Sequence, residues 1–140
     1  MNVVEPVEYR LEDQIGFKLR LAYQKHAEIF VSMQPEVTPT QFAAMIKLKE
    51  CGLLSQNHLG RLIAMDAATT KGVIDRLRKK GLVQTEPSTT DLRRLDVSLT
   101  AEGLAFIAAA VPVAHRISAA TTLNLSKADA AKLLALLDRL

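Results

Sequence analysis

The sequence predicts a mainly α, α+β chain, and three observations predict it. Capping residues recur ahead of apolar stretches with helical spacing: Thr38, Ser55, Asp66, Thr100 and Ser126. After Gly81 the apolar period falls from 3.6 to 2, the mark of a β-hairpin. The positive excess gathers around that change, because residues 61–94 hold eight basic and four acidic side chains.

The first long helix is expected from about Val7 to Val31. Ile15, Leu19, Ala22, Tyr23, His26, Ile29, Phe30 and Met33 recur in steps of three and four, and Pro35 closes the stretch. Thr38-Pro39-Thr40-Gln41 opens the next helix as a capping box with proline at the first helical position, and Gly52 ends it. Ser55 caps a short helix, Gln56 to Ala64, with Leu59, Leu62 and Ile63 inward. Asp66 caps Ala67 to Lys80, which buries Val73, Ile74 and Leu77, with Thr70 at the edge. Leu82–Glu86 and Leu95–Leu99 read as paired strands around a long polar tip, residues 87–94. Thr100 caps a further helix in which Pro112 should kink the axis or loosen its hydrogen bonds. Ser126 caps a last helix, Lys127 to Leu140.

Composition narrows the function. The 140 residues are 49% apolar and 24% charged, which excludes a wholly disordered chain. The longest apolar run, Leu104 to Ala114, falls short of the roughly 18 residues of a membrane span, so no membrane partner is expected. Residues 1–6 lack a secretory start, and the single cysteine, Cys51, allows no intrachain disulfide; a cytoplasmic location is the expectation. Aromatics at 4% argue against a base-stacking surface for single strands. Histidines and Cys51 show no metal-ligand spacing, and no hydrolase, zinc-protease, P-loop or dinucleotide fingerprint is present, so neither an enzyme, a metal nor a cofactor is expected.

Three helices followed by a hairpin, with cations from the third helix to the hairpin tip, make a winged helix-turn-helix. Its long N- and C-terminal helices would be dimerisation helices. The expected division is residues 1–37, an N-terminal helix in the dimerisation region; 38–100, the DNA-binding domain; and 101–140, the C-terminal dimerisation helices. A helix opened by Asp66 fits a major groove and would present Thr69 and Lys71. Arg93 and Arg94 at the hairpin tip suit the negative potential of an adjacent minor groove. Ser55 and Gln56 can hold a phosphate. Arg76 is either a phosphate contact or an ion-pair partner of Asp75 or Glu86. Apolar stripes on residues 15–33, 104–122 and 133–140 exceed what one small domain covers, which implies a homodimer.

The runs Thr38-Pro39-Thr40-Gln41, Leu59-Gly60-Arg61-Leu62-Ile63, Val73 to Val83, Asp91-Leu92-Arg93-Arg94 and Leu99-Thr100-Ala101-Glu102-Gly103 resemble the MarR family of bacterial transcription regulators. The D-x-R wing followed by L-T-x-x-G is the more specific part. The resemblance implies a homodimer on double-stranded DNA at a pseudo-palindromic operator, most often as a repressor, released by a small phenolic or aromatic carboxylate. It also implies that Asp91 orients Arg93, and it adds Thr38 and Thr40 to the DNA-binding set. Ala68-Thr69-Thr70-Lys71-Gly72 departs from the family's S-T-V-T-R, with Gly72 where an arginine or polar reader is common.

For the effector, Arg20, Tyr23, His26, Phe30, Met45 and His115 are candidates. Arg20 could clamp a carboxylate, and the two histidines lie on apolar stripes of helices expected to meet. The plainer readings are a surface charge, core side chains and satisfied interface histidines. The alternative from another class is a winged-helix protein-interaction scaffold that binds DNA only incidentally.

Overall fold

The computed structural model describes residues 7–140; Met1–Pro6, where a secretory start was looked for, lie outside the described residues. In chain order come α1 (Ile15–Met33), α2 (Pro39–Cys51), β1 (Leu54–Ser55), α3 (Gln56–Leu62), α4 (Ala67–Lys79), β2 (Val83–Pro87), β3 (Leu95–Leu99), α5 (Ala101–Thr121) and α6 (Lys127–Leu137). A 3-10 turn, Leu11–Asp13, precedes α1.

All five expected N-caps form. At α2 the box is reciprocal: Thr38 Oγ1 accepts the Gln41 N–H at 3.1 Å, and Gln41 Oε1 accepts the Thr38 N–H at 3.2 Å. Ser55, Asp66, Thr100 and Ser126 each accept from the third residue of their helices. These bonds satisfy amides that a helix start leaves unpaired.

Three antiparallel strands form one sheet, ordered β1-β3-β2. Val97 sits at its centre, opposite Leu54 on one side and Thr85 on the other. Met45, Leu48, Leu59, Ile74, Leu77, Val97 and Ile107 are fully or almost fully buried in one cluster. Thus α2, α3 and α4 pack together over the sheet, while α5 leaves it to run along α1.

The joint where α5 begins is tight. Gly81 takes φ 75°, a left-handed turn that lets the chain leave α4. Thr100 Oγ1 then donates to the Gly81 carbonyl at 2.6 Å, and the Thr100 N–H donates to the Leu82 carbonyl at 3.1 Å. A Cβ at Gly103 would lie 2.0 Å from that Leu82 oxygen, so no side chain fits there.

Several expectations need correction. α1 begins at Ile15, not near Val7; Gln14 is extended and supplies no side-chain cap. Val7, Tyr9 and Leu11 are exposed, so no packing within the chain extends the helix toward them. α3 stops at Leu62, followed by Ala64 at φ 57°, and Leu62 is exposed rather than inward. α6 ends at Leu137 rather than Leu140. The first strand of the hairpin is Val83–Pro87, one residue later than expected. Thr70 is buried, its hydroxyl donating to the Asp66 carbonyl at 2.8 Å. Pro112 sits inside α5 without ending it. That makes α5 a 21-residue helix, long and apolar enough by length and composition to cross a bilayer, contrary to the sequence reading. Here Gly103, Ile107, Ala110 and Ile117 are buried within the fold.

Candidate nucleic-acid interface

The hairpin tip is ordered by its own polar groups. Buried Ser88 accepts the Thr90 and Asp91 N–H groups through Oγ, and its own N–H donates to the Arg94 carbonyl at 3.0 Å. Asp91 is thereby aimed along the tip. Its Oδ1 accepts from Arg93 N at 3.0 Å and Arg93 Nε at 3.1 Å, and Oδ2 accepts from Arg93 Nη2 at 3.4 Å. Arg94 Nε stands farther off, 3.8 Å from Oδ2. The hydrogen bonds from Arg93, with the Arg94 charge behind them, hold the Asp91 carboxyl below its ordinary pKa. Arg93 itself keeps 91% of its side chain exposed. The salt bridge and an available cation therefore coexist.

β1 explains how distant residues meet. Ser55 pairs with Asp96 across the sheet, which sets the start of α3 beside the root of the wing. A recess of about 110 Å³ is lined by Ser55, Gln56, Asn57, Arg93, Arg94 and Leu95. Four of these six were candidates from sequence. Ser55 Oγ also caps α3, accepting the His58 N–H at 3.2 Å.

On α4 the first turn presents Ala67, Ala68 and Thr69 to solvent. Asp66 accepts the Thr69 N–H at 2.7 Å, and that bond pulls its pKa down. Lys71 is exposed but committed: its Nζ donates to Asp75 Oδ2 at 3.1 Å. Arg78 Nη2 lies 3.8 Å from the other oxygen of Asp75, while its Nη1 donates to Thr85 Oγ1 on β2 at 3.2 Å. The Lys71 hydrogen bond is the main reason the Asp75 pKa is lowered. Arg76 is exposed and forms no ion pair among the described residues, with Asp75, Glu86 or any other acid.

Asn57, Arg61 and Met65, which the sequence reading left out, stand beside these. Asn57 joins the wing recess. Arg61 and Met65 line a second groove of about 230 Å³ between α3 and α4. Lys80, at the end of α4, donates to the Glu36 carbonyl and reaches Gln41 Oε1 at 3.5 Å. Thr38 is exposed with its hydroxyl engaged in the cap, and Thr40 is half-buried.

The effector candidates separate into three groups. Met45 and Phe30 are core, 0% and 4% exposed. Arg20 is exposed and stacks over the Phe17 ring at 5.3 Å; His115 is exposed too. Tyr23 and His26 form a tilted aromatic pair, 6.2 Å between centroids. His26 lines a recess of about 330 Å³ between α1, α5 and α6, with Ser118, Ala119, Thr121, Thr122, Ala130, Leu133 and Leu134. One of its ring nitrogens is already engaged. Thr121 Oγ1 lies 2.9 Å from His26 Nδ1 and 2.9 Å from the Ile117 carbonyl, so Nδ1 is the ring nitrogen engaged within the chain. Nε2 is then the nitrogen left for another partner.

Residues 37–95 match the MarR family. The HTH-type transcriptional repressor NicR of Pseudomonas putida is 35% identical over 94% of this chain and 85% of its own length. A probable transcriptional regulator from Pseudomonas aeruginosa has a crystal structure with TM-score 0.89 and 46% identity, over 93% of this chain and 98% of that one. The BpsR structure from Bordetella bronchiseptica, solved to explain regulation of its DNA binding by 6-hydroxynicotinic acid, has TM-score 0.90 and 32% identity, over 95% and 96%. The winged helix-turn-helix and the near end-to-end similarity to these regulators lead to one conclusion: the chain belongs to the MarR family of DNA-binding transcription regulators.

Proposed function

We propose that the chain is a homodimeric repressor that binds a pseudo-palindromic operator and is released by a small aromatic, phenolic or anionic ligand. Residues 38–100 would be the DNA-binding unit, with 1–37 and 101–140 forming the dimer base. The observation that carries the reading is the Asp91-held Arg93 at the wing tip, beside Ser55, Gln56 and Arg94 and on the same unit as the exposed N-terminal turn of α4. In that arrangement Thr69, Lys71 and Arg76 face a major groove, Arg93 and Arg94 reach the neighbouring minor groove, and Ser55 and Gln56 take a phosphate. Thr38, whose hydroxyl holds the α2 cap, and Thr40 complete the DNA-binding set.

Dimerisation is supported by apolar surface with no cover inside one chain. α6 has no buried residue; Leu134 is 67% exposed, and Ile15 and Tyr23 on α1 are 64% and 58% exposed. A ligand between α1, α5 and α6 would meet the Leu133 and Leu134 side chains on one side and His26 Nε2 on the other. BpsR, controlled by a hydroxylated aromatic carboxylate, makes that chemistry the first to try.

The experiment is a fluorescence anisotropy titration against the promoter segment beside the chain's own gene, with unrelated duplex as competitor. Nanomolar binding that survives competitor is the expected result. Affinity should fall steeply with salt, and half-sites should lie about 10 bp apart. Adding 6-hydroxynicotinic acid should then lower the affinity, and operator should weaken ligand binding by the same factor. Equal weak binding to both duplexes would defeat the proposal.

A further inference from the structure

Gly72 lies on α4 with open space above it, and one group occupies that space. A Cβ built there would meet Arg76 Nη1 at 3.4 Å and Arg76 Cζ at 4.0 Å, with nothing else within 4 Å. Helical side chains lean toward the N-terminus, so Arg76 folds back over the residue one turn earlier. That shifts its guanidinium by about 6 Å along the axis toward the leading end of the helix.

Charge bookkeeping singles out the same residue. Lys71 and Arg78 share Asp75, and Arg78 also holds Thr85. Lys79, the last residue of α4, lies farthest from its leading end. Arg76 has no side-chain hydrogen bond or ion pair among the described residues. Ahead of it, apart from the Asp75-paired Lys71, the exposed residues are small, Ala67, Ala68 and Thr69, which allows close approach of the leading turn to a groove floor.

We propose that Gly72 and Arg76 together are the specificity-determining pair of α4: the missing side chain at 72 lets the Arg76 guanidinium lie along the helix face, where it reads a guanine in the major groove. The inference rests on the DNA-binding reading above and adds the base and the residue that selects it. Arginine pairs bidentately with guanine O6 and N7, which a phosphate contact would not require.

The test starts with selection of duplexes from a random-sequence library by the full-length protein, followed by anisotropy on single-base variants of the selected site. A guanine should recur in each half-site, and replacing it should weaken binding roughly 10- to 100-fold. Arg76→Ala and Arg76→Lys should both erase that preference, with Lys keeping most of the affinity for unrelated DNA. Gly72→Leu should erase it as well, without lowering the melting temperature, because leucine is the better helix former and only the Arg76 side chain stands in its way. In an Arg76→Ala background, Gly72→Leu should cost nothing further at that base pair.

Three results overturn the inference while leaving DNA binding intact. Arg76→Ala could weaken all sequences by one factor and reduce the salt slope by about one, which is a phosphate contact. Gly72→Leu could keep the guanine preference. The double variant could lose more than Arg76→Ala alone, which would be a clash of the leucine itself. If the wild-type protein enriches no common sequence, the DNA-binding reading fails and this inference falls with it.

Discussion

Asp91 holds Arg93 by main chain and side chain at once: one carboxylate oxygen accepts both the Arg93 N–H and Nε, and the other accepts Nη2. An exposed arginine gains little stability from such a pair. What it gains is direction. Arg93→Ala should lower operator affinity by about tenfold or more and reduce the salt slope by about one per wing. Asp91→Ala keeps the cation and loses its orientation, so affinity should drop roughly 2- to 10-fold with the salt slope unchanged. Anisotropy across a salt series separates the two. A rise in affinity for Asp91→Ala would make the acid a source of repulsion only.

The same pair sets a pH window. Arg93 hydrogen bonds hold the Asp91 pKa below its ordinary 3.8. A depressed carboxyl contributes fully above the ordinary value, and its contribution fades as pH falls through the depressed one. The wing should therefore stay ordered at pH 4 and loosen only in stronger acid. The amide shift at position 93, followed by NMR, should titrate below 3.8 in the wild type and move up toward 3.8 in Arg93→Ala. A wild-type midpoint at or above the ordinary value contradicts the assignment.

Gly103→Ala should be among the most damaging single methyl additions in the chain. The new Cβ meets a backbone carbonyl at 2.0 Å, and a backbone atom cannot rotate away as a side chain can. Overpacking of this kind costs about 3 kcal/mol, read from urea unfolding. A change under about 0.5 kcal/mol would mean that the α5 joint is looser than its geometry.

Leu134→Glu tests the dimer. On a lone chain this exposed position should change stability by no more than about 0.5 kcal/mol. Across a two-copy base it puts a charge into an apolar contact. Sedimentation should shift from dimer to monomer at micromolar protein, and the melting temperature should lose its dependence on concentration. An unchanged dimer would move the interface away from this face of α6.

Much of this fold was legible because its signals are local. Each cap lies within three residues of the amide it satisfies, so Thr38, Ser55, Asp66, Thr100 and Ser126 could be read directly. β1 could not, because two residues carry no period and their reason for being extended is β3, some forty positions later. That omission hid why Ser55 and Gln56 meet Arg93 and Arg94. Ala64 at φ 57° was equally silent, since alanine does not advertise a left-handed turn. The helical stripe that placed Met45 and Phe30 near a ligand could not tell a cavity wall from a filled core, and both are core. His26 was found by the same stripe, yet its hydrogen-bond partner, Thr121, lies 95 positions away.

The joint at Gly81, Leu82, Thr100 and Gly103 has a mechanical consequence. Two hydrogen bonds and one backbone contact fix the first turn of α5 to the exit of α4. α4 is thereby tied to α5 at that end. If α5 tilts where it meets α1, α4 must swing with it, as the short arm of a lever follows the long one. Under the proposed ligand release, the quantity that changes would be the angle between two rods, and the surface proposed to read a sequence would keep its shape while its heading changes.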